Sequence, residues 1–128
     1  MVFHHRRMAR LTIRIDLAAG SVGPGKIGLQ EQVAATGSIR KAATAMKMSY
    51  RRAWLLLQAL EACFGSPLVE TATGGKKGGG ARLTEAGVAL VARYRRIEDR
   101  ALRVAAKDIS AMEGRAVQMS QVRPTRSR

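Results

Sequence analysis

Two adjacent arginines, Arg51 and Arg52, are the residues of this sequence with the clearest chemical potential. They follow Ser49, which stands where a helix N-cap is expected and whose hydroxyl would accept a hydrogen bond from a first-turn N–H group. Cations in a first turn oppose the helix dipole, which favours anions at that end. A helix selected for stability alone would carry Asp or Glu there, so the pair predicts recognition of an external anion or of guanine edges.

The charged residues around this pair are all basic. From residue 38 to residue 54 they are Arg40, Lys41, Lys47, Arg51 and Arg52. Charge of one sign, concentrated at the helix end that would enter a major groove, predicts binding to double-stranded DNA. Gln58, further along the same helix, is a candidate adenine reader. The competing interpretation is a helical hairpin with a solvated basic face.

A glycine-rich basic loop is the second candidate contact. Residues 72–81 read ATGGKKGGGA and lie between two segments with strand character, residues 68–71 and 82–84. The pattern predicts a β-hairpin wing tipped by Lys76 and Lys77. Its glycines let backbone N–H groups approach phosphates closely while the lysines neutralise them. The competing interpretation is a flexible linker, a common role of glycine-rich segments.

The predicted DNA-binding residues combine the capped helix with the basic residues before it and with the wing. They are Arg40, Lys41, Lys47, Ser49, Tyr50, Arg51, Arg52, Gln58, Lys76, Lys77 and Arg82. In this set Arg51 and Arg52 are the predicted guanine readers, and the wing and the earlier basic residues are predicted to hold phosphates.

Two motifs that suggest other chemistry lack essential parts. Residues 20–26, GSVGPGK, nearly spell a phosphate-binding loop, but Ile27 stands where a magnesium-holding hydroxyl is required. His4 and His5 are adjacent and have no nearby Cys or carboxylate partner, which makes a poor metal site. With no general-base histidine, paired carboxylates or activated nucleophile, the sequence predicts neither an enzyme nor a cofactor or metal site. Residues 20–26 are instead predicted to be a turn that leads into a helix.

Three short helices are predicted to carry the basic residues. The first runs over residues 26–36, with Ile27, Leu29, Val33 and Ala34 inward and Gly37 as its stop. The second begins after its N-cap Ser38, with an apolar stripe at Ile39, Ala42, Ala43 and Met46, and a turn at residues 46–48 separates it from the third. The third helix runs to residue 64 and ends at Gly65, and its apolar face is formed by Ala53, Leu56, Leu57, Leu60 and Phe64.

Longer-range elements complete the predicted fold. Residues 10–17 alternate in polarity and predict a half-buried strand. Thr84 is a predicted N-cap for a helix over residues 85–112, whose surplus apolar stripe predicts a homodimer seam; packing on the protein's own core is the competing interpretation. Residues 1–9 are predicted to be a mobile N-terminus, residues 10–112 one domain, and residues 113–128 a disordered basic tail. The predicted class is mainly α with a small β-hairpin: a winged helix–turn–helix with a long dimerisation helix.

Composition supports a polyanionic partner. The chain has 128 residues, a formal net charge of +14 and a pI near 11.5, the footprint of nucleic-acid binding first and of an anionic membrane surface second. No apolar run is long enough to span a bilayer and no secretory signal is recognised, so no membrane association is predicted. The single Cys63 excludes an intramolecular disulfide and suits the cytoplasm. Few aromatic residues argue against a platform for single strands.

Two strings resemble a known family. Residues 49–54, SYRRAW, followed by residues 72–84, ATGGKKGGGARLT, resemble the N-terminal DNA-binding domain of the molybdate-responsive ModE-type regulators over about residues 10 to 110. The related LysR-type regulators share the layout without this glycine run. The resemblance implies a winged helix–turn–helix dimer that reads an operator with the helix starting at Ser49, with Ser49, Tyr50 and Arg51 facing DNA and Lys76 and Lys77 on the wing.

The chain departs from that family beyond its DNA-binding part. Full-length members carry C-terminal β-barrel modules that bind molybdate or tungstate, and this sequence stops at Arg128 without strands to build them. Molybdate is therefore not expected to bind this chain. The predicted function is a dimeric, sequence-specific transcriptional regulator that is cytoplasmic and associated with the nucleoid, with molybdenum-related genes as its candidate targets. The alternative is a nonspecific nucleoid or architectural DNA-binding protein, and a phosphate-transfer enzyme is the least favoured class.

Overall fold

The computed structural model describes residues 9–72 and 80–121, with the backbone alone from residue 115 onward. Outside the described residues lie residues 1–8 of the predicted mobile N-terminus (1–9), the predicted wing tip with Lys76 and Lys77, and residues 122–128. The elements in chain order are β1 (Ile15–Leu17), β2 (Gly20–Val22), α1 (Pro24–Thr36), α2 (Ile39–Ala45), α3 (Tyr50–Phe64), β3 (Val69–Ala72), β4 (Gly80–Leu83) and α4 (Glu85–Gln121). This is the predicted winged helix–turn–helix, with β3 and β4 as the wing and a long terminal helix.

The helix boundaries of the helix–turn–helix follow local signals. Ser38 and Ser49 each cap a helix: the Ser38 hydroxyl accepts from the Lys41 N–H and the Ser49 hydroxyl accepts from the Arg52 N–H, both at 3.0 Å. Gly37 ends α1 with φ of 73° and Gly65 ends α3 with φ of 66°, the left-handed conformation that glycine adopts without a Cβ clash. These four residues were predicted correctly from the sequence.

The core of this region has two apolar clusters. The first joins α1, α2 and α3 through Leu29, Val33, Ile39, Ala42, Ala43, Ala53 and Leu57. The second brings β2, α1, α3 and the start of α4 together through Val22, Ile27, Leu60, Leu68 and Tyr94. The small Ala42 and Ala43 are almost fully buried and let the helices approach closely. Two residues predicted to lie in the core do not: Ala34 is exposed, and Phe64 is 39% exposed.

The N-terminal strand is shorter than predicted. Residues 10–17 were expected to form it, whereas β1 has only three residues and pairs antiparallel with β2, from Ile15 opposite Val22 to Leu17 opposite Gly20. The ladder is short because Pro24 begins α1 and ends the partner strand. The Gly20 region was predicted as a turn alone, and it also supplies this strand. Ile13 is held without a ladder, since its carbonyl oxygen accepts from the Tyr94 hydroxyl at 2.6 Å.

The last helix is longer than predicted. Its N-cap is correct, because the Thr84 hydroxyl accepts from the Gly87 N–H at 3.0 Å. Its end is not: α4 continues to Gln121 instead of stopping near residue 112, so residues 113–121 are helical instead of disordered. The single Gly114 costs a helix only about 1 kcal/mol, and the next strong breaker along the chain is Pro124.

The chain divides into two compact units. One is Thr12–Arg96, which contains the whole winged helix–turn–helix; the other combines Met1–Leu11 with Ile97–Arg128. In the second unit, α4 leaves large apolar side chains open to solvent: Val104 is 85% exposed and Met112 70% exposed. Ala101, Ala105 and Ile109 are half-buried.

An ion pair ties α1 to α4. The Arg95 guanidinium donates to both carboxylate oxygens of Glu31, at 2.9 and 2.6 Å, and this hydrogen bonding lowers the pKa of Glu31 below its usual 4.5 in spite of partial burial. A carboxyl group whose pKa is lower in the folded state than in the unfolded state stabilises the protein at pH values above its unfolded-state pKa. That stabilisation is lost as the pH falls through the folded-state pKa. Because both side chains are near 40% exposed, we expect Glu31→Gln to lower the free energy of unfolding by at most about 1 kcal/mol at pH 7.

Urea unfolding of wild type and Glu31→Gln between pH 3 and pH 7 measures this effect. The two free energies should converge below pH 4.5. Arg14→Gln is a control, because Arg14 pairs with Asp16 at a site where the two side chains are 71% and 69% exposed. A difference between wild type and Glu31→Gln that persists unchanged at pH 3 would contradict the assignment.

Candidate nucleic-acid interface

The outer face of α3 is basic. Arg51, Arg52, Leu55 and Gln58 are exposed, whereas Ala53, one of the residues between them, is fully buried. No acid holds the guanidinium of Arg51 or Arg52 among the residues that the structure describes. The predicted readers therefore stand on the outward side of the predicted recognition helix, available to an external partner.

The other predicted phosphate contacts of the helix–turn–helix precede α3 in the chain. Lys41 is exposed on α2, and Lys47 is exposed in the α2–α3 turn. Lys47 has φ of 58° and is the only non-glycine residue with positive φ among the described residues. Ser49 uses its hydroxyl as an N-cap, so any contact it makes with DNA must share that oxygen.

An aromatic cluster links α2 to α3. We use this name for Arg40, Tyr50 and Trp54. The Trp54 Nε1–H donates to the Tyr50 hydroxyl oxygen at 3.1 Å, and the Arg40 guanidinium lies over the Tyr50 ring, 4.6 Å from its centre. Tyr50 and Trp54 remain 40% and 39% exposed. Trp54, the last residue of the SYRRAW string, is therefore partly exposed, with its N–H bonded to Tyr50.

The wing carries Arg82 in an internal ion pair. Strands β3 and β4 pair antiparallel, with Glu70 opposite Arg82, and the Arg82 Nε and Nη2 atoms donate to one Glu70 oxygen at 3.3 and 3.2 Å. Both side chains are well exposed. Since such pairs are weak in water, Arg82 can exchange its carboxylate for a phosphate, but its charge is partly compensated before any ligand arrives. The sequence did not indicate this pairing.

The wing strands are anchored by hydrogen bonds that sequence reasoning missed. The Glu61 carboxylate, on α3, accepts from the backbone N–H groups of Leu68 and Val69 at 2.9 and 3.1 Å. On the other strand, the Ala81 N–H donates to the Gly37 carbonyl at 2.9 Å. These bonds fix the wing against α3 and against the α1–α2 turn. No local pattern identifies them, because their partners are distant in sequence or belong to the backbone.

We expect Glu61→Ala to loosen the wing. The substitution leaves two backbone N–H groups at the start of β3 without their acceptor, which should cost about 1–3 kcal/mol in free energy of unfolding. The amides of Leu68 and Val69 should also exchange faster with deuterium. Glu61→Gln is the control, because its amide oxygen retains an acceptor and should recover part of the loss. Unchanged exchange in Glu61→Ala would show that the carboxylate does not hold the strand.

An open groove separates the aromatic cluster from the wing. Its volume is about 410 Å³. The helix side is lined by Ser38, Ile39, Arg40, Tyr50 and Trp54, and the wing side by Thr71, Ala72, Gly80 and Ala81. The groove places a cation and a phenol on one wall and backbone strands on the other, an arrangement suited to an extended anionic chain.

The loop that resembles a phosphate-binding motif has another role. The Lys26 Nζ atom donates to the Ser21 carbonyl at 2.9 Å, so the lysine secures β2 to the first turn of α1. Within residues 9–72 and 80–121 no three His, Cys, Asp or Glu side chains gather where a metal ion would bind; His4 and His5 lie outside those ranges. None of the helices in these ranges is apolar over enough length to cross a membrane.

Comparison with known proteins identifies relatives of the part of the chain that forms this surface. The family described as bacterial regulatory helix-turn-helix protein, lysR family, matches residues 28–88. The molybdenum transport protein ModE of Herbaspirillum seropedicae is 46% identical over 74 residues, or 58% of this chain and 28% of its own length. The molybdenum-pterin-binding protein MopA of Rhodobacter capsulatus is 43% identical over 98 residues, or 74% and 37%. The DNA-binding transcriptional dual regulator ModE of Escherichia coli K12 is 41% identical over 71 residues, or 56% and 27%.

A solved structure shows the same architecture. The crystal structure of a CbnR DBD–DNA complex is similar with a TM-score of 0.53 and 30% sequence identity, covering 68% of this chain and 94% of that chain. The chain spans about a third of the length of the curated relatives it matches. Those relatives are regulators and molybdenum proteins by their names, and none is named as an enzyme.

Proposed function

Since residues 28–88 of this chain form a helix-turn-helix domain of the bacterial regulatory lysR type, we propose that the chain is a sequence-specific DNA-binding transcriptional regulator. The observation that carries this proposal is the outer face of α3, where Arg51 and Arg52 are exposed at the helix start without an acidic partner among the described residues. Guanidinium groups read guanine O6 and N7 in the major groove, which is the chemistry this face offers. The wing and the basic residues around α3 supply phosphate contacts that set the register.

The regulated genes are proposed to be related to molybdenum. Support comes from the relatives named as ModE, a molybdenum transport protein in Herbaspirillum seropedicae and a transcriptional dual regulator in Escherichia coli. We further propose that molybdate does not bind to this chain, and that the chain works in the cytoplasm in association with the nucleoid.

We also propose a homodimer through residues 85–112. The second compact unit leaves Val104, Met112 and Leu102 exposed on α4, and a second copy of the same helix would cover such side chains by a self-complementary contact. A twofold dimer places two recognition helices about 34 Å apart and favours a palindromic operator. Sedimentation of wild type and Val104→Lys tests the seam: wild type should be dimeric and the variant should dissociate, and a monomeric wild type would remove the proposal.

The second candidate is a nonspecific nucleoid or architectural DNA-binding protein. The formal net charge of +14 favours it, because phosphate neutralisation alone supplies most nonspecific affinity. The two candidates differ in selection from a random duplex pool. A regulator should enrich one motif with twofold symmetry, whereas an architectural protein should return no consensus.

The wing tip is expected to contribute affinity without specificity. Lys77→Ala should weaken binding to all duplexes to a similar extent and reduce the slope of log affinity against log salt by roughly one unit, because one phosphate contact is lost. Titration of the same duplex at several salt concentrations measures the slope. Lys107→Ala, an exposed lysine on α4, is the control and should leave the slope unchanged. A slope for Lys77→Ala equal to that of wild type would exclude Lys77 as a phosphate contact.

A further inference from the structure

In the aromatic cluster, the hydrogen bond between Trp54 and Tyr50 has a fixed donor and a fixed acceptor. Trp54 lies one turn after Tyr50 on α3, where helical side chains lean back over the preceding turn. An indole N–H can only donate, so the Tyr50 hydroxyl must be the acceptor in their 3.1 Å hydrogen bond. The hydroxyl's own hydrogen therefore remains for a second acceptor, which the protein itself does not supply in the described residues.

A cation lies over the ring that carries this hydroxyl. The Arg40 guanidinium covers the face of the Tyr50 ring at 4.6 Å and has no acidic partner in the described part of the chain. Stacking on the ring restrains the guanidinium while leaving its N–H groups free to donate. Arg40 and Tyr50 thus come from two helices, α2 and α3, and present donors with positive charge at one place.

Both residues line the groove between the helices and the wing. The strand of a duplex that passes between a recognition helix at the major groove and a wing beside it presents phosphate oxygens there, and these accept hydrogen bonds from neutral and charged donors. A Tyr hydroxyl that is oriented as a donor, beside a guanidinium, matches a single phosphodiester group. A base edge carries no net charge, so the guanidinium on the Tyr50 ring favours a phosphate over a base as the acceptor.

We infer that Trp54 is a positioning residue, whose indole N–H holds the Tyr50 hydroxyl as a hydrogen-bond donor to one DNA phosphate beside the Arg40 guanidinium. The inference rests on the proposed function, since it assigns a role within the same DNA-binding surface. Trp54 does not contact DNA through its N–H in this arrangement, because that hydrogen is already donated to Tyr50. Its contribution to affinity passes through Tyr50.

A double-mutant cycle with Trp54→Phe and Tyr50→Phe tests the inference. Each single variant removes one partner of the Trp54–Tyr50 hydrogen bond and keeps an aromatic ring. Loss of one oriented hydrogen bond to a charged oxygen should weaken binding about tenfold. The double variant should bind no more weakly than the weaker single variant, because both act on one contact. The loss should be similar for operator and random duplexes, and the salt slope should be unchanged, since no charge is removed.

Neutral phosphate analogues locate the contact. A methylphosphonate placed in turn at each phosphate of the duplex should find one position at which wild type and Tyr50→Phe bind equally. Arg40→Gln should bind as wild type does when the methylphosphonate is at that same position. It should also reduce the slope of log affinity against log salt by roughly one unit. The assignment of Trp54 is overturned if no single methylphosphonate position makes wild type and Tyr50→Phe bind equally. It is also overturned if the losses of affinity in Trp54→Phe and Tyr50→Phe add up in the double variant.

The controls separate this inference from the fold and from the proposed function. Tyr94→Phe removes a buried phenol hydroxyl that bonds to Ile13, so it should lower the urea midpoint without changing DNA affinity. Trp54→Phe should do the reverse; a lowered midpoint with unchanged affinity would make Trp54 a structural residue. If wild type binds no duplex, the proposed function fails together with the inference. If wild type binds and the cycle is additive, only the inference fails.

Discussion

Gly87→Ala should destabilise the protein by about 3 kcal/mol or more in free energy of unfolding. A Cβ at this position would overlap the Leu68 carbonyl oxygen and would also lie 3.2 Å from the Leu68 carbonyl carbon and 3.3 Å from the Leu83 Cβ. Two of these atoms belong to backbone that cannot move away alone, because the Leu68 carbonyl also accepts from the Thr84 N–H at 2.9 Å. The substitution must therefore separate the first turn of α4 from the strands of the wing.

The sign of this effect makes it diagnostic. Alanine normally stabilises a helix relative to glycine by about 1 kcal/mol, so a large loss can come only from the packing at Gly87. Gly25→Ala is the matched control, since Gly25 lies in the first turn of α1 and its Cβ would meet nothing within 4 Å. Urea unfolding of both variants measures the difference. Equal stability of Gly87→Ala and Gly25→Ala would contradict the close approach of α4 to Leu68.

Arg51→Ala should cost about 1–3 kcal/mol in binding to the operator and relax specificity at one base pair. The reason is that a guanidinium bonded to guanine O6 and N7 discriminates against every other base at that position. On random duplex the loss should be smaller, because only a phosphate-level attraction is removed there. Titration of operator, of single-base variants and of random duplex with wild type and Arg51→Ala measures both quantities.

The matching control is an arginine of equal charge outside the interface. Arg96→Ala removes an exposed guanidinium from α4 and should change operator and random binding equally and slightly. Equal loss on operator and random duplex for Arg51→Ala would remove Arg51 as a base reader and leave it as a phosphate contact.

Local signals explain why much of the fold was predictable. Serine N-caps and glycine C-caps act within a few residues of chain, so Ser38, Ser49, Gly37 and Gly65 were identified correctly. The exposed basic face of α3 was also predictable, because apolar residues at helical spacing fix which side is buried. The same reasoning located Thr84 as the cap of α4.

Contacts between distant residues were not predictable in this way. The Glu61 carboxylate reads as an ordinary charged residue on a helix, yet it bonds to two backbone N–H groups of another element. In the sequence Gly87 is only an unfavourable residue inside a helix. In the structure the Leu68 carbonyl oxygen lies so close to it that there is no room for a Cβ atom. Gln30 reads as a surface residue and is fully buried, with its Nε2 atom 3.4 Å from the Gly87 carbonyl oxygen.

The candidate site shows the same division. Helical spacing puts Arg51 and Gln58 opposite the apolar face of α3, and both are exposed in the structure. The stacking of Arg40 on Tyr50 and the pairing of Arg82 with Glu70 depend on how α2, α3 and the wing strands meet. Such geometry is set by tertiary packing, so the sequence does not give the partners of these residues within the protein.

The most direct test of the central claim is the affinity of the purified full chain for duplexes taken from upstream of its own gene and of molybdate-transport genes, compared with random duplex at physiological salt, with and without molybdate. We expect a preference of about 10³ or more for one of these duplexes, unchanged by molybdate. Equal affinity for every duplex would contradict a sequence-specific regulator and leave a protein that binds DNA by charge alone.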